Sequence, residues 1–199
     1  MARDFDGTND KIDFGDIPAI SDLTICSHSI WVWNDALTAD MVNVENLDGS
    51  NNGFKFYFDD VGSVSGRTDI YNISMNESPG AGDSSVRIES ATAAATSGAW
   101  QHVFWSFLAA SSTGLQLWIA GAEDANSPAD VTSLGDMGNS NGVIRLGEAN
   151  SGANDRDGRL AECAFWDVVL TDPEIIALSK AASPLLIRPS ALIFYSPLI

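Results

Sequence analysis

A two-residue periodicity of apolar side chains is the feature that most constrains the fold of this chain. In the run GFKFYFDD, Phe54, Phe56 and Phe58 share one face of an extended backbone, and residues 23–33 (LTICSHSIWVW) and 114–121 (GLQLWIAG) show the same alternation. Each run therefore predicts a β-strand that buries one face. Clusters of Gly, Asn, Asp and Ser separate the runs. Short strands between such turns predict an all-β fold, an antiparallel two-sheet sandwich.

The segment LTDPEIIALSK predicts one short helix near the C-terminus, directly after the strand in GRLAECAFWDVVL. Thr171 stands at the N-cap, Pro173 lies in the first turn and Glu174 follows three residues after the cap. A threonine and a glutamate at this spacing form a capping box, in which each side chain satisfies a backbone N–H at the start of the helix. We therefore expect a single C-terminal helix.

The chain is predicted to hold one domain and an apolar tail. No internal repeat or linker divides residues 1–182, whereas residues 183–199 carry a single charge, Arg188. A tail this apolar must pack on the sandwich or be buried in an interface of a homo-oligomer such as a trimer, and the sequence leaves both alternatives open. The residues predicted to make oligomer or partner contacts are Leu185, Ile187, Leu192, Phe194 and Tyr195.

The charge of the chain excludes one class of partner. Ten Lys and Arg residues stand against 27 Asp and Glu residues, which gives a formal net charge of −17. This field repels phosphate backbones, so nucleic acid is not expected as a partner, while solubility and cation binding are favoured.

The N-terminal residues and the lengths of the apolar runs predict where the chain is made. The first ten residues, MARDFDGTND, lack the apolar core of a signal peptide, and no apolar run reaches the length of a membrane span. We expect cytoplasmic synthesis without a signal peptide. Cys26 and Cys163 each lie in an apolar run and are expected to be free buried thiols, at an unknown distance from each other.

Several segments, in order, resemble strands of a known family. They are FDGTNDKIDFG, GAWQHVFWSF, GLQLWIAG and GVIRLGEANSGANDRDGRLAECAFWDVVLTDPEIIAL. Together they resemble the concanavalin A-like superfamily, specifically its laminin G-like or pentraxin-like jelly rolls, of the stand-alone kind found in phage and bacterial proteins. The resemblance runs from about residue 3 to residue 180, although residues 60–92 match no family pattern and Trp118 and Ala120 depart from it. It implies a jelly-roll sandwich and gives His102 an ordinary place in a Trp-x-His-Val strand.

Catalysis is not expected. Relatives of this fold that cleave glucans carry a Glu-x-Asp-x-(x)-Glu strand, because nucleophile and acid must flank one glycosidic bond about 5 Å apart. The sequence has no such triplet, and the spacing of Glu162 and Asp167 points them to opposite faces of a strand. With two histidines, His28 and His102, in separate predicted strands, neither a catalytic triad nor a zinc site is easy to build.

Calcium is the one cofactor that the resemblance implies, because this fold commonly carries a structural calcium among loop oxygens. The run DGSNNGFKFYFD places Asp48, Ser50, Asn52, Gly53 and Asp59 at spacings of a calcium loop, although an Asx-rich hairpin turn is the favoured interpretation. Two further loops offer oxygen ligands: Asn154, Asp155 and Asp157 in NDRDG, and Asp4, Asp6 and Asp10 in DFDGTND.

Glycan binding requires aromatic platforms with planar hydrogen-bonding groups beside them. All six tryptophans lie in predicted strands, so a sugar would have to stack on a sheet face. Trp31, Trp33 and Trp118 are the candidate platforms, and a core position is the favoured interpretation for each.

These patterns lead to two functional hypotheses. The first is a non-catalytic structural or binding module of a bacteriophage virion, such as a capsid decoration protein, which reaches the virion surface after cytoplasmic synthesis by assembling with other virion proteins. The alternative is a lectin-like carbohydrate-binding module, with or without calcium. The sequence identifies neither the partner nor the glycan.

Overall fold

The computed structural model describes residues 2–48, 52–61, 66–76, 85–138, 141–149 and 151–198. Within them lie thirteen strands: β1 Arg3–Asp6, β2 Ile12–Asp16, β3 Ile25–Asn34, β4 Met41–Leu47, β5 Gly53–Val61, β6 Thr68–Asn76, β7 Ser85–Glu89, β8 Trp100–Leu108, β9 Leu115–Ile119, β10 Ala122–Glu123, β11 Val143–Leu146, β12 Asp157–Trp166 and β13 Leu192–Ser196. The described residues also form one α-helix, α1 Asp172–Ser179, and short 3-10 turns at Pro18–Ile20 and Pro184–Leu186.

The strands form two antiparallel sheets packed face to face. Sheet A has the order β1-β12-β3-β8-β9-β10, with β13 also paired to β12, and sheet B has the order β2-β11-β4-β5-β6-β7. The prediction of an all-β, antiparallel two-sheet sandwich with one short helix is confirmed. Neighbours distant in the sequence, such as β12 beside β3, are the crossovers expected of a jelly roll.

The main core fills the space between the sheets, and strand alternation explains its composition. Phe54, Phe56 and Phe58 of β5 face inward and are fully buried. From sheet A, Trp105 of β8 meets them, with its ring centroid 5.1 Å from that of Phe54. The imidazole of His28 stacks on Trp105 in this core, at 5.2 Å between centroids. The aromatic run GAWQHVFWSF is thus a central strand.

A second, smaller core lies on the outer face of sheet A. Phe104 and Trp118, together with Trp166 at the end of β12, pack there against α1 and residues near the C-terminus. The buried members of this cluster, here named the covered half of the outer face, are Phe104, Trp118, Ala164, Trp166, Leu170, Ile175, Leu178 and Ala191. The helix begins with the expected cap, since the backbone N–H of Thr171 donates to Glu174 Oε2 at 2.8 Å.

The C-terminal tail packs on its own sandwich. Strand β13 pairs with β12 from Cys163 opposite Ser196 to Trp166 opposite Leu192. Leu192, Phe194 and Tyr195 are therefore half-buried within the chain, as is Ile187, whose carbonyl accepts a 2.7 Å hydrogen bond from Trp166 Nε1. Of the five residues predicted to contact a partner, Leu185 is the exposed one, at 53 %, and its neighbour Leu186 is 77 % exposed.

Cys26 and Cys163 are free and buried, as predicted. The Cys26 sulfur lies 3.5 Å from Met137 Sδ, and the Cys163 sulfur lies 3.6 Å from His28 Nε2. Burial raises the pKa of both thiols far above the ordinary value, so neither is a reactive thiolate. Within the part of the chain that the structure describes, no helix has the length and apolarity to cross a bilayer.

Candidate functional site

The rest of the outer face of sheet A has no helix over it. Alternation along β3 sends Ile30 and Val32 into the main core and turns Trp31 and Trp33 outward. Register then sets Trp31 beside Ala161 of β12 and Trp33 beside Trp100 of β8. This second region, here named the open half, consists of Trp31, Trp33, Trp100, Arg159, Ala161 and Glu162. Trp100 is 37 % exposed, an unusual state for a large apolar ring on a sheet face.

The open half holds a pocket of about 570 Å³. Its walls are Trp31, Trp100, Arg159 and Glu162, and the small side chains of Ala2, Ala161 and Ala181 complete its lining. Alanine at these positions leaves the space between the rings empty. The volume falls within the range of small-molecule sites, and aromatic walls with a few polar groups are their usual chemistry.

A β-bulge places the carboxylate of Glu162 in this pocket. The pairing of β12 with β3 shifts register between Ala161 and Ala164, and Glu162 has a φ of +54°. Because of the extra residue, Leu160 and Cys163 both face the main core. In a regular strand Glu162 would share a face with Leu160, and a charge would be buried. The left-handed conformation costs about 1–2 kcal/mol, and such strain is often kept where a side chain must be aimed.

The tail holds this carboxylate in place. The hydroxyl of Tyr195 in β13 donates to Glu162 Oε2 at 2.8 Å. Burial, followed by the hydrogen bond to the Glu162 carboxylate and its negative charge, raises the pKa of Tyr195 to about 12, so the phenol stays protonated and keeps donating. One wall of the pocket therefore depends on the C-terminal segment.

Trp33 contacts two residues of the pocket wall, Trp100 and Arg159. Its ring lies 5.9 Å from that of Trp100 in an edge-to-face arrangement, and the guanidinium of Arg159 lies 5.2 Å above it. The indole N–H of Trp33 donates to Asp35 Oδ1 at 2.8 Å, and Arg159 Nε donates to Asp4 Oδ1 at 3.1 Å. These contacts orient Trp100 and Arg159 toward the pocket.

The three tryptophans predicted to stack sugars thus separate. Trp31 and Trp33 lie in the open half, whereas Trp118 lies in the covered half and is 7 % exposed. Trp118 has no free ring face for a sugar, because Ile175 and Leu178 of α1 pack in the same cluster. Sequence reasoning missed Trp100, Arg159 and Glu162 as pocket residues. Alternation along GAWQHVFWSF puts Trp100 on the same face as His102, but it contains neither the bulge nor the pairing of Trp100 with Trp33.

The calcium pattern in DGSNNGFKFYFD does not form a single site. Asp48 closes a hairpin turn, where its Oδ1 and Oδ2 accept hydrogen bonds from the backbone and side-chain nitrogens of Asn52 at 2.9 and 2.8 Å. Asp59 lies at the other end of β5, about 20 Å away along an extended strand, so the pairing of Asp48 with Asp59 is wrong. Gly53 begins β5, and Ser50 lies outside the described residues.

Asp59 instead meets two other carboxylates. Oxygen atoms of Asp40, Asp59 and Asp60 lie within 4.8 Å of one another. Burial raises the pKa of Asp40, and Asp59 is buried as well. Carboxylate oxygens are ligands that calcium accepts, so these residues form the described cluster best suited to a cation.

The other two predicted calcium loops come together at one end of the sandwich. Asp6 pairs with Asp157 across β1 and β12, and both line a pocket of about 260 Å³ with Asp155. Asn154 contributes its backbone carbonyl to a hydrogen bond with the Val42 amide at 3.0 Å. Asp4 pairs with Arg159, and Asp10 accepts a hydrogen bond from the Asp6 backbone amide at 3.2 Å.

One pair of side chains has the geometry of a nucleophile and its base. Ser29 Oγ lies 2.8 Å from His102 Nε2. Both residues are buried beneath the open half, where the ring of Trp31 lies 5.4 Å from that of His102. Burial lowers the pKa of His102 to about 4, so the imidazole is neutral at pH 7. No substrate can reach Ser29 in this arrangement, and the contact joins β3 to β8 within sheet A.

Comparisons with known proteins identify the fold. The family described as the concanavalin A-like lectin/glucanases superfamily matches residues 6–176. A candidate carbohydrate-binding protein from Bacteroides ovatus aligns over 98 % of this chain and 50 % of its own, with 14 % identity and a TM-score of 0.62. The heptameric SAP-like pentraxin of Limulus polyphemus aligns over 91 % of this chain and 82 % of its own, with 13 % identity and a TM-score of 0.57.

A third structure is the CBM40 module of Ruminococcus gnavus IT-sialidase, bound to α2,3-sialyllactose. It aligns over 90 % of this chain and 98 % of its own, with 14 % identity and a TM-score of 0.59. No curated protein sequence matches this chain. This chain spans about half the length of the Bacteroides ovatus protein. At such identities the likeness establishes a common fold.

Proposed function

We propose that this chain, which belongs to the concanavalin A-like lectin/glucanases superfamily, is a non-catalytic module that binds a carbohydrate in the pocket of the open half. The observation that carries the proposal is the uncovered pair of rings, Trp31 and Trp100, on a sheet face that is otherwise closed by α1 and the tail. Exposed aromatic area of this kind marks a binding surface.

The chemistry of the walls suits a sugar. The C–H faces of a pyranose pack on indole rings, while its hydroxyls pair with planar charged groups. The pocket supplies both, since Trp31 and Trp100 stand beside Arg159 and Glu162. The Bacteroides ovatus and Ruminococcus gnavus proteins are described as carbohydrate binders, and at 14 % identity they support the proposal through the fold alone.

The pocket supports binding without hydrolysis. Glycosidases place two carboxyl groups about 5–10 Å apart across the scissile bond. Among the described residues that line this pocket, Glu162 is the one carboxylic acid. Asp167 is five residues further along, about 16 Å in extended backbone, and cannot flank the same bond.

The test is a glycan array followed by titration calorimetry on the glycans that bind. We expect Trp31→Ala and Trp100→Ala each to weaken binding by about tenfold or more, as is usual for an aromatic ring that becomes buried when the complex forms. Leu186→Ala is the matched control, because it removes an exposed apolar side chain outside the pocket. An array without binding, or affinities unchanged in both tryptophan variants, would overturn the proposal.

Assembly on a virion stays as the second proposal, with a virion-surface location and a homo-oligomer such as a trimer. One observation favours it: Leu185 and Leu186 remain exposed on the tail. Analytical ultracentrifugation distinguishes a homo-oligomer from a monomer. An oligomer that dissociates in Leu185→Ser/Leu186→Ser supports assembly through the tail, and a monomer at every concentration removes this proposal.

A calcium ion is proposed at Asp40, Asp59 and Asp60, independently of the glycan. A bound ion would stabilise the folded state by mass action. The thermal unfolding midpoint should therefore rise with calcium and fall with a chelator, and Asp60→Asn should abolish the difference. If calcium and the chelator leave the unfolding midpoint of the wild-type chain unchanged, the proposed calcium site is wrong.

A further inference from the structure

The charges around the pocket of the open half are unequally compensated. Arg159 has Asp4 as a counter-charge, at 3.1 Å between Nε and Oδ1. Glu162 has the neutral phenol of Tyr195, and no described lysine or arginine forms an ion pair with it. The pocket therefore presents one cation that already has a counter-charge, Arg159, and one carboxylate without a cationic partner, Glu162, in a chain whose formal net charge is −17.

The bulge in β12 interrupts the regular pairing of β12 with β3. As a result, Glu162 lies at the pocket wall. A carboxylate there accepts hydrogen bonds from hydroxyl groups. A carboxylate or sulfate on the ligand would meet a like charge in a partly buried site, where repulsion is stronger than in bulk water. The same side chain thus attracts one class of glycan and repels another.

We propose that Glu162 makes this pocket selective for uncharged glycans, which present hydroxyl groups without carboxylate or sulfate. Tyr195 is the positioning residue, because its hydroxyl fixes the carboxylate from the tail. The inference rests on the proposed carbohydrate function and adds the ligand class to it. It also gives the C-terminal segment a role in binding, since β13 supplies the phenol.

The experiment compares matched trisaccharides of glucose, mannose and galactose with their uronic acid counterparts by titration calorimetry. For the wild-type chain we expect the neutral member of a binding pair to bind about tenfold more tightly than the acidic member. In Glu162→Gln the neutral ligand should lose affinity and the acidic ligand gain it, so that the ratio falls toward one. The preference should also weaken at high salt.

Two further variants separate the charge of Glu162 from its structural role. Asp167→Asn makes the same change of charge just beyond β12, outside the pocket, and should leave the ratio unchanged. Tyr195→Phe keeps the carboxylate but removes its hydrogen bond, so the neutral ligand should bind severalfold more weakly while the preference for it persists. Circular dichroism verifies that each variant is folded.

The outcomes distinguish this inference from the function on which it rests. Equal or tighter binding of the acidic members, or an unchanged ratio in Glu162→Gln, overturns the selectivity and leaves carbohydrate binding intact if Trp31→Ala still weakens it. Binding of no trisaccharide of either kind, together with an empty glycan array, overturns both.

Discussion

The covered and open halves of the outer face of sheet A carry the same type of side chain in different states. Trp118 and Trp166 in the covered half are buried, while Trp31 is half-buried and Trp100 is 37 % exposed. Strands β8 and β12 run through both halves, so neither the sheet nor the residue type explains the contrast. What differs is the segment after β12, which lays α1 and residues 187–191 over one half. Aromatic content alone therefore does not distinguish a core from a candidate binding surface. The segment that packs over one half of the sheet face makes that distinction.

The polar groups of the two halves differ in their contact with solvent. In the covered half, Trp166 Nε1 donates to the carbonyl of Ile187, while the indole nitrogen of Trp118 is buried without a hydrogen-bond partner. In the open half, Arg159 and Glu162 border the rings and retain contact with solvent. Arg159 and Glu162 are therefore polar groups that a ligand on the open half could reach.

The largest expected effect tests whether the covered half is a core. Trp166→Ala should lower the free energy of unfolding by about 3–5 kcal/mol, because it leaves a cavity and an unpaired carbonyl at Ile187. Trp100→Ala should lower it by about 1 kcal/mol or less, because much of that ring is already in water. Urea denaturation followed by circular dichroism measures both. Equal losses would mean that the two halves do not differ as described.

The next effect concerns the floor of the open half, where His102 is buried. Burial lowers the pKa of His102 to about 4 from 6.5, so on acidification the unfolded chain takes up this proton first. Its contribution to stability is complete above pH 6.5 and is lost as the pH falls toward 4, on the order of 3 kcal/mol. His102→Gln should lose less stability than the wild-type chain across this range in urea denaturation.

His28 contributes in the same direction, because burial, followed by the charge of His102, lowers its pKa to about 3. The Gln variant is therefore expected to retain part of the pH dependence. If the two chains lose stability in parallel from pH 6.5 to 4, water reaches His102, and the floor of the open half is not closed.

The smallest effect concerns the attachment of the cover itself. Arg188 Nε donates to Glu174 Oε1 at 2.6 Å and ties the tail to α1. Arg188→Ala should lower the thermal midpoint slightly at low salt and not at high salt, because the Arg188 side chain is exposed and that of Glu174 is partly exposed. A loss of the same size at high salt would show that Arg188 acts through packing.

The same ion pair has a defined pH dependence. The hydrogen bond from Arg188 lowers the pKa of Glu174 to about 2 from 4.5. Its contribution is therefore present above pH 4.5 and is lost as the pH falls toward 2. This range overlaps those of His102 and His28 below pH 4.5, so the contribution of the ion pair is measured as the difference between Arg188→Ala and the wild-type chain at each pH.

Local patterns predicted the parts of the fold that depend on local physics. The alternation of Phe54, Phe56 and Phe58 identified a strand and its buried face, and Thr171 and Glu174 located the start of the helix. The jelly-roll type of sandwich came from the family resemblance, and the order of the strands was not predicted, because pairings between distant segments leave no mark in a single sequence.

The site depends on features that periodicity does not contain. A period of two assumes a regular strand, in which Glu162 would share a face with Leu160. The bulge in β12 moves Glu162 to the pocket instead, and periodicity does not reveal it. The same alternation described Trp31 and Trp118 in equal terms, and the path of the tail decided which ring was covered. The calcium pattern failed for a related reason, since its spacing assumes a compact loop where Asp48 and Asp59 flank an extended strand.

An NMR titration that observes the indole N–H signals of the six tryptophans tests whether the open half is the glycan site. The ligand is the glycan that binds most tightly on the array. We expect saturable shifts of the Trp31 and Trp100 signals, with Trp118 and Trp166 unchanged, because the ligand contacts the open half alone. Shifts at Trp118 or Trp166 with none at Trp31 and Trp100, or saturable binding that leaves every indole signal in place, would contradict the account.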